Sequence, residues 1–449
     1  MMRSMFSGIS GLRVHQTKMD VIGNNIANVN TTAFKSSRVT FNEVFSQTLQ
    51  GGSGASQETG RGGRNPMQIG LGTNISSIDT LMTIGAAQRT DNPFDLMIEG
   101  EGFFIVGDES GTYFTRAGVF RKDDDGNLTI PNGMKVKGWP AVDNGTRIQR
   151  GAVEDLKLDK PENLTADPEA TTNLRIQGNI NIQDGITTTG IPIQLKFYDS
   201  LGNLYSANLN MTYDSTVSEW NLDIPDTLRL TDTNGNVYTL ENVGAEEDSI
   251  TITIVFDSDG NLDIENSGGT NGTFTISNER NPFYLTADLS AGDPLIKSTI
   301  GPLTVDFTGL TQYNQKTNID PLMGDSNGLG AGREPGELSG YSIGADGIII
   351  AQYSNGQQKM LGQVVIATFR NPAGLQKVGD NLFTTTPNSG EFDGIGNEPN
   401  LQGGVLEMSN VDLAKEFTEM ITTQRGFQAN SRIITTSDEM LQELVNLKR

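Results

Sequence analysis

The chain has no cysteine, a single histidine and no run of about eighteen apolar residues. Lacking cysteine, it can have no disulfide, thiolate metal site or cysteine nucleophile. His15 alone supplies neither a triad with a buried base nor a multi-histidine metal site. Lying within a helical pattern, it reads as an exposed or interfacial helix residue. No apolar run is long enough for a spanning helix, so membrane insertion is not expected. The opening residues, Met1, Met2, Arg3 and Ser4, form no apolar h-region, and export would need a route without a cleaved signal.

Positive charge is also scarce. Against 55 Asp and Glu the chain carries 32 Lys and Arg, a net charge of −23. Residues 1–45 hold +3 and residues 405–449 hold −2, which leaves −24 on the segment between them. So acidic a surface repels phosphates and anionic lipid, and nucleic-acid binding is not expected.

What the chain does have is a pair of matched ends. Met5, Ile9, Leu12, Met19, Ile22, Ile26 and Val29 recur at helical spacing, and Leu413, Phe417, Met420, Phe427, Ile434 and Leu441 repeat the pattern at the other end. Each row is a narrow apolar seam, which suits a partner helix better than a sheet. Gln16 and Gly23 in the first row, and Gln424, Ser431 and Asp438 in the second, read as polar interruptions that fix register. The last helix is expected to start after Ser409, with Asp412 completing a capping box, and to end on Lys448 and Arg449. A narrow seam without its partner is marginal in water, so the ends are expected to order mainly against neighbouring copies.

Between the ends the period changes to two. Residues 103–106, 195–197, 250–256, 348–350 and 364–369 read as strands. Asp-Gly or Asn-Gly pairs begin at Asp125, Asn132, Asn144, Asp184, Asn234, Asp259, Asn271, Asn327, Asp346, Asn355 and Asp393, and they predict antiparallel structure with tight local turns. Residues 51–63 (GGSGASQETGRGG) read as a flexible linker, and residues 324–340 as a second connection.

No catalytic pattern stands out. The runs at 123–127 and 257–261 resemble calcium loops, but counting back from glycine at the sixth position gives Arg121 and Val255 where an acidic ligand is needed, so hairpin turns are the better reading. Gly100, Gly102, Gly328, Gly330 and Gly332 lack the lysine and the βαβ context of a phosphate loop. Glu99 and Glu101, expected on one strand face, read as a solvated surface pair. No cofactor, metal or enzymatic activity is expected.

Residues 7–38 (SGISGLRVHQTKMDVIGNNIANVNTTAFKSSR) and the stretch from 410 to 449 (NVDLAKEFTEMITTQRGFQANSRIITTSDEMLQELVNLKR) resemble the two terminal signatures of the bacterial flagellar rod and hook proteins. Residues 92–106, 113–120 and 378–390 resemble β segments of that family, and YDSLGN at 198–203 is similar to its hook members rather than to the shorter distal rod members.

The resemblance implies a mainly β fold with α-helical termini, the N- and C-terminal helices forming a coiled-coil layer over two discontinuous antiparallel β domains. The implied division is 1–45 with 405–449 as the helical domain, 46–72 as linker, 73–147 with 325–404 as inner β domain, and 148–324 as outer β domain. It also implies a structural subunit that polymerises with itself into a curved, channelled tube acting as a universal joint. Implied partners are a distal rod protein, a hook cap protein, a hook–filament junction protein and the flagellar type III export apparatus. The residues expected to hold the assembly are Ile9, Leu12, Met19, Ile22, Ile26, Leu413, Phe417, Met420, Phe427, Ile434 and Leu441. With no cysteine, the cysteine-derived cross-links of some relatives cannot form.

Overall fold

A computed structural model describes residues 2–54, 62–108, 110–187, 190–224, 228–233, 235, 237–240, 250–268, 273–276, 283–287, 299–300 and 303–447. Asn234, Asn271, residues 55–61 of the expected linker, and Lys448 and Arg449 lie outside the described residues. The chain forms two compact units. One comprises Met1–Lys160, Gly340–Ala351 and Lys359–Arg449; the other comprises Pro161–Ser339 and Gln352–Gln358.

The first unit carries both long helices, α1 (Met2–Ala27) and α2 (Leu413–Asn446). α2 begins later than its sequence suggests. Asp412 is its N-cap, accepting from the backbone N–H groups of Ala414 at 2.9 Å and Lys415 at 3.2 Å. That satisfies two orphan donors of the first turn, and Ser409 is left outside the helix.

After α1, two antiparallel ribbons form from segments far apart in sequence. β1 (Ser37–Glu43) pairs with β4 (Thr73–Thr80), with a bulge between Thr40 and Phe41, and β2 (Ser46–Gln50) pairs with β3 (Met67–Gly70). The expected linker at 46–72 is therefore partly strand. Its glycine-rich tip gave the linker impression, while Thr48, Leu49, Met67 and Ile69 on its flanks supply β-propensity.

The sheet of this unit places Lys135–Val142 against Phe103–Asp108, then Gly111–Thr115, Leu382–Thr384 and Gln376–Gly379, all antiparallel. Its core is aromatic. Phe114 meets Phe369 edge-on at 4.9 Å and Phe103 meets Phe383 at 5.5 Å, the arrangement that ring quadrupoles favour. Trp139 closes this core and donates Nε1–H to the carbonyls of Ile395 (2.9 Å) and Gly151 (3.0 Å), so no polar atom of the ring is buried unpaired.

The second unit packs two sheets on one core. In Ile191–Tyr198 burial alternates residue by residue, with Ile191, Ile193, Leu195 and Phe197 inward and Pro192, Gln194 and Lys196 outward. Trp220, Leu209, Met211, Val305 and Phe307 fill the interior. One pairing departs from the expected antiparallel pattern: Asn173–Asn179 runs parallel to Leu303–Thr311, strands that are distant in sequence and so need no hairpin turn.

Turn chemistry accounts for many of the Asp-Gly and Asn-Gly pairs. In four turns, beginning at Asp123, Asp199, Asp257 and Asp325, the aspartate Oδ1 accepts the backbone N–H four residues on, and its carbonyl accepts from a glycine three residues on. Those glycines, Gly126, Gly202, Gly260 and Gly328, have φ between +79° and +83°, which a side chain would strain. In the two calcium-like runs, then, the first carboxylate serves the turn. Asp184 and Gly185 are an exception to the turn reading, since they sit in the helical turn Ile182–Thr187. Glu99 and Glu101 lie beyond strand Leu96–Ile98, not on it, and Glu99 accepts from the amides of Asn400 and Gln402.

Candidate assembly interface

α1 and α2 pack antiparallel within one chain. Gly8 lies against Ile434 and Asn430, Gly11 against Asn430, His15 against Gly426, and Lys18 pairs with Glu419 at 3.1 Å. Asn25 Nδ2 donates to Glu416 at 3.2 Å near the other end. The helix pair thus forms within one chain.

The row of α1 that faces α2 also differs from the expected one. Small and polar residues dominate it, with Ile22 as its buried apolar member, at spacings of three and four: Gly8, Gly11, His15, Lys18, Ile22 and Asn25. A Cβ on Gly11 would stand 2.6 Å from Asn430 Nδ2 and 2.9 Å from Asn430 Cγ, so the Asn430 amide rests on the bare glycine and would have to move for any larger residue. Gly426 does the same opposite the imidazole, where a Cβ would lie 2.8 Å from His15 Cε1 and Nε2. Each glycine costs the isolated helix roughly 1 kcal/mol relative to alanine, which the close packing offsets.

On α2 the inward row is Glu416, Met420, Thr423, Phe427, Asn430, Ile434, Ser437 and Leu441, spaced alternately by four and three. Its polar members are not those expected, since Gln424 and Asp438 are exposed, as is Gln16 on α1, while Ser431 is half-buried and Gly23 has nothing within 4 Å. Thr423 and Ser437 are buried on this row, and their hydroxyls, donating to the carbonyls of Glu419 and Ile433 at 2.7 Å each, are not left unpaired there. An apolar count misses such positions, and the i−4 hydroxyl bond does not single them out, since the exposed Thr418 and Thr436 make it too.

The expected assembly residues divide accordingly. Ile22 is buried; Leu12, Met19, Ile26, Met420, Phe427, Ile434 and Leu441 are half-buried. Ile9, Leu413 and Phe417 are exposed. Phe417, half exposed, and Ile421, at 59%, continue the row from Leu413 along the outside of α2, with Phe6 and Ile9 uncovered on α1. Val44, Phe45, Leu49, Met67 and Ile69 are exposed on the ribbons. Apolar surface this extensive marks a surface made to be covered.

Where the helices meet the β body, sequence reading missed a buried charge cluster. Lys35 Nζ lies 2.6 Å from Glu407 Oε1 with both side chains fully buried, and Arg116 Nη1 approaches Glu407 Oε2 at 3.6 Å. Lys35 also donates to the Thr83 carbonyl at 2.7 Å, Gly85 N–H donates to Glu407 Oε1 at 2.9 Å, and Arg116 Nη2 donates to the Gly100 carbonyl at 2.6 Å. Burial pushes the Lys35 amine below its usual range and the Glu407 carboxylate pulls it back up. Asn25 and Asn410 stitch the same region. Asn25 exchanges two bonds with the Ser37 backbone (2.9 and 3.0 Å), and Asn410 accepts from Ser36 N–H at 2.7 Å while donating to the Leu81 carbonyl at 2.8 Å. Residues 25–37, 81–85, 116 and 407–410 are thereby fixed to one another. No periodicity announces such a cluster, because its members come one from each segment.

Four family models cover this chain in order: flagella basal body rod protein at 5–35, flagellar hook protein FlgE/F/G D1 domain at 97–194, flagellar basal body protein FlaE D2 domain at 163–325, and flagellar basal body rod FlgEFG protein C-terminal at 402–447. The flagellar hook protein FlgE of Borreliella burgdorferi is 38% identical over all of both chains, and that of Treponema pallidum is 35% identical, again over all of both. The chain belongs to the flagellar hook protein family. A flagellar basal-body rod protein FlgG of Bacillus subtilis is 31% identical, also over both full lengths, so the hook family shares its plan with rod subunits. The terminal matches at 5–35 and 402–447 fall on α1 with the turn after it, and on α2 with the strands before it.

Proposed function

We propose that the chain is the structural subunit of the flagellar hook, polymerising with itself into a curved tube that transmits torque as a universal joint and leaves a central channel for export. The observation that carries this reading is full-length similarity to hook proteins combined with a helix pair that leaves Leu413, Phe417 and Ile421 uncovered. In the tube, a second copy covers that row and the apolar residues of the ribbons. The layers are 1–45 with 405–449 inside, 46–72 as connection, 73–147 with 325–404 between, and 148–324 outside. The subunit leaves the cell through the type III export apparatus without a cleaved signal, seats on the distal rod protein, and meets a hook cap protein and then a junction protein. It has no catalytic role.

Electron microscopy of polymerised protein tests the reading. Curved tubes are expected, and Phe427→Asp or Leu12→Asp should abolish them while the β units stay folded. Tube formation by either variant would remove the helix pair from the assembly. Straight tubes would favour the second reading, a distal rod subunit, which the full-length similarity to a rod protein keeps in play.

A further inference from the structure

We propose that His15 makes the α1–α2 pair acid-sensitive, holding the helices together while its imidazole is neutral and loosening them when it takes up a proton. The inference rests on the helix pair alone and not on assembly.

His15 sits half-buried at the helix contact, where one of its ring nitrogens is cut off from water. A Cβ on Gly426 would stand 2.8 Å from its Cε1 and Nε2, so the ring packs directly on the bare glycine, and Phe41 of β1 meets it edge-on at 6.4 Å. Its Nδ1 is buried and has no hydrogen-bond partner among the described residues. The neutral ring tolerates this as an acceptor left unused; a protonated ring would bury a donor and a charge with no acceptor facing either. The charged groups around it do not help. On α1 the neighbour is Lys18, one turn on and of like sign, and on α2 Glu419 is engaged by Lys18. On the β1–β4 ribbon Arg38 lies 3.9 Å from Asp79, and Glu43 lies against Gly70.

Burial, and then the charge of Lys18, lower the pKa of His15. The paired state therefore binds the proton less readily than the separated state, whose imidazole titrates near its free value of about 6.5. Pairing is at full strength above that value, weakens as pH falls through it, and levels off below the pKa of the paired state. Glu416 works the other way. Burial raises its pKa, so the paired state takes up that proton more readily and pairing gains as pH falls toward the carboxylate range. A loss of pairing in mild acid can therefore be assigned to His15, and the contribution of Glu416 opposes it.

Having a single histidine makes the test direct. In the full-length protein, one imidazole Cε1–H resonance reports the titration, and its midpoint is expected below 6.5. Amide-exchange protection at residues 8–26 and 416–437 is expected to fall between pH 6.5 and 5.5, by up to about tenfold per pH unit, the ceiling for one proton. In His15→Gln, protection should stay flat over that window, with residues 191–214 serving as an unchanged internal reference. If His15→Gln leaves the helices unprotected at neutral pH, His15→Phe, a flat ring that does not titrate, carries the same comparison. A midpoint at or above the free value, an equal decline in the variant, or helices unprotected at neutral pH in the parent protein would each overturn the proposal.

Discussion

The helix pair and the β core of the second unit solve opposite problems. In the core, Trp220, Leu209, Met211 and Phe307 are almost wholly removed from water, and along the strand of Trp220 buried residues alternate with more exposed ones. In the pair, glycine, histidine, lysine and asparagine share the contact with Ile22, Phe427 and Ile434, while Phe417 and Ile421 stay in solvent. The core spends its apolar residues on its own fold. The pair holds many of its own in reserve, so its stability depends on what covers them. Stability and association are thereby assigned to different stretches of one chain.

The largest effect expected is at the core. Trp220→Ala removes a fully buried ring that stacks near Tyr213 at 5.0 Å and bonds Gln312 at 3.3 Å, and should cost about 3–5 kcal/mol. Loss of exchange protection across 204–214 with unchanged protection of α1 and α2 would uphold the contrast. A matching loss in the helices would show that the two regions unfold as one.

Glu407→Gln comes next. It leaves Lys35 buried beside a neutral amide, and breaking one side of such a cluster costs about 3–5 kcal/mol. Because Glu407 also accepts from Gly85 N–H, the loss should appear first at residues 81–85 and 33–37, measurable by exchange at those amides. Restoration by adding Lys35→Met would show that the cost is the uncompensated charge rather than lost packing.

Much of this contrast was legible in advance. Two helical ends, a period-two body and the turn pairs all follow from spacing and from glycine's access to positive φ, as at Gly126 and Gly260. The row that joins the two helices within the chain was less legible, because an apolar count passes over Gly8, Gly11 and Thr423, whose fitness depends on the partner helix and on the backbone carbonyl that takes up a hydroxyl. The Lys35–Glu407–Arg116 cluster was invisible for a related reason. Its two contacts join residues 291 and 372 positions apart, and a single charged residue in a strand or loop reads as solvated until the fold closes around it.

Gly11→Leu addresses the pair itself. The added side chain meets Asn430 and forces the helices apart, an overpacking cost of about 1–3 kcal/mol. Helical signal from residues 2–27 should fall and tube formation should fail, while the denaturation midpoint of the β units is unchanged. A variant that still assembles would show that close approach at Gly11 is dispensable and would weaken the contrast between the regions.

The smallest effect separates the helix from its contacts. Asp412 caps α2 through two backbone N–H groups and is itself exposed, so Asp412→Ala leaves the seam untouched and should cost about 1 kcal/mol through fraying of the first turn. That turn carries Glu416, which Asn25 bonds, and precedes Phe417, which is uncovered. Fraying should therefore lower exchange protection at 413–417 and leave 427–441 as it was. Asp412→Asn, which keeps the cap without the charge, should recover most of the loss, since an asparagine oxygen accepts the same two N–H groups. If instead it recovers little, the carboxylate acts through its charge at the positive end of the helix, and the first turn of α2 is held by electrostatics more than by the hydrogen bonds seen here.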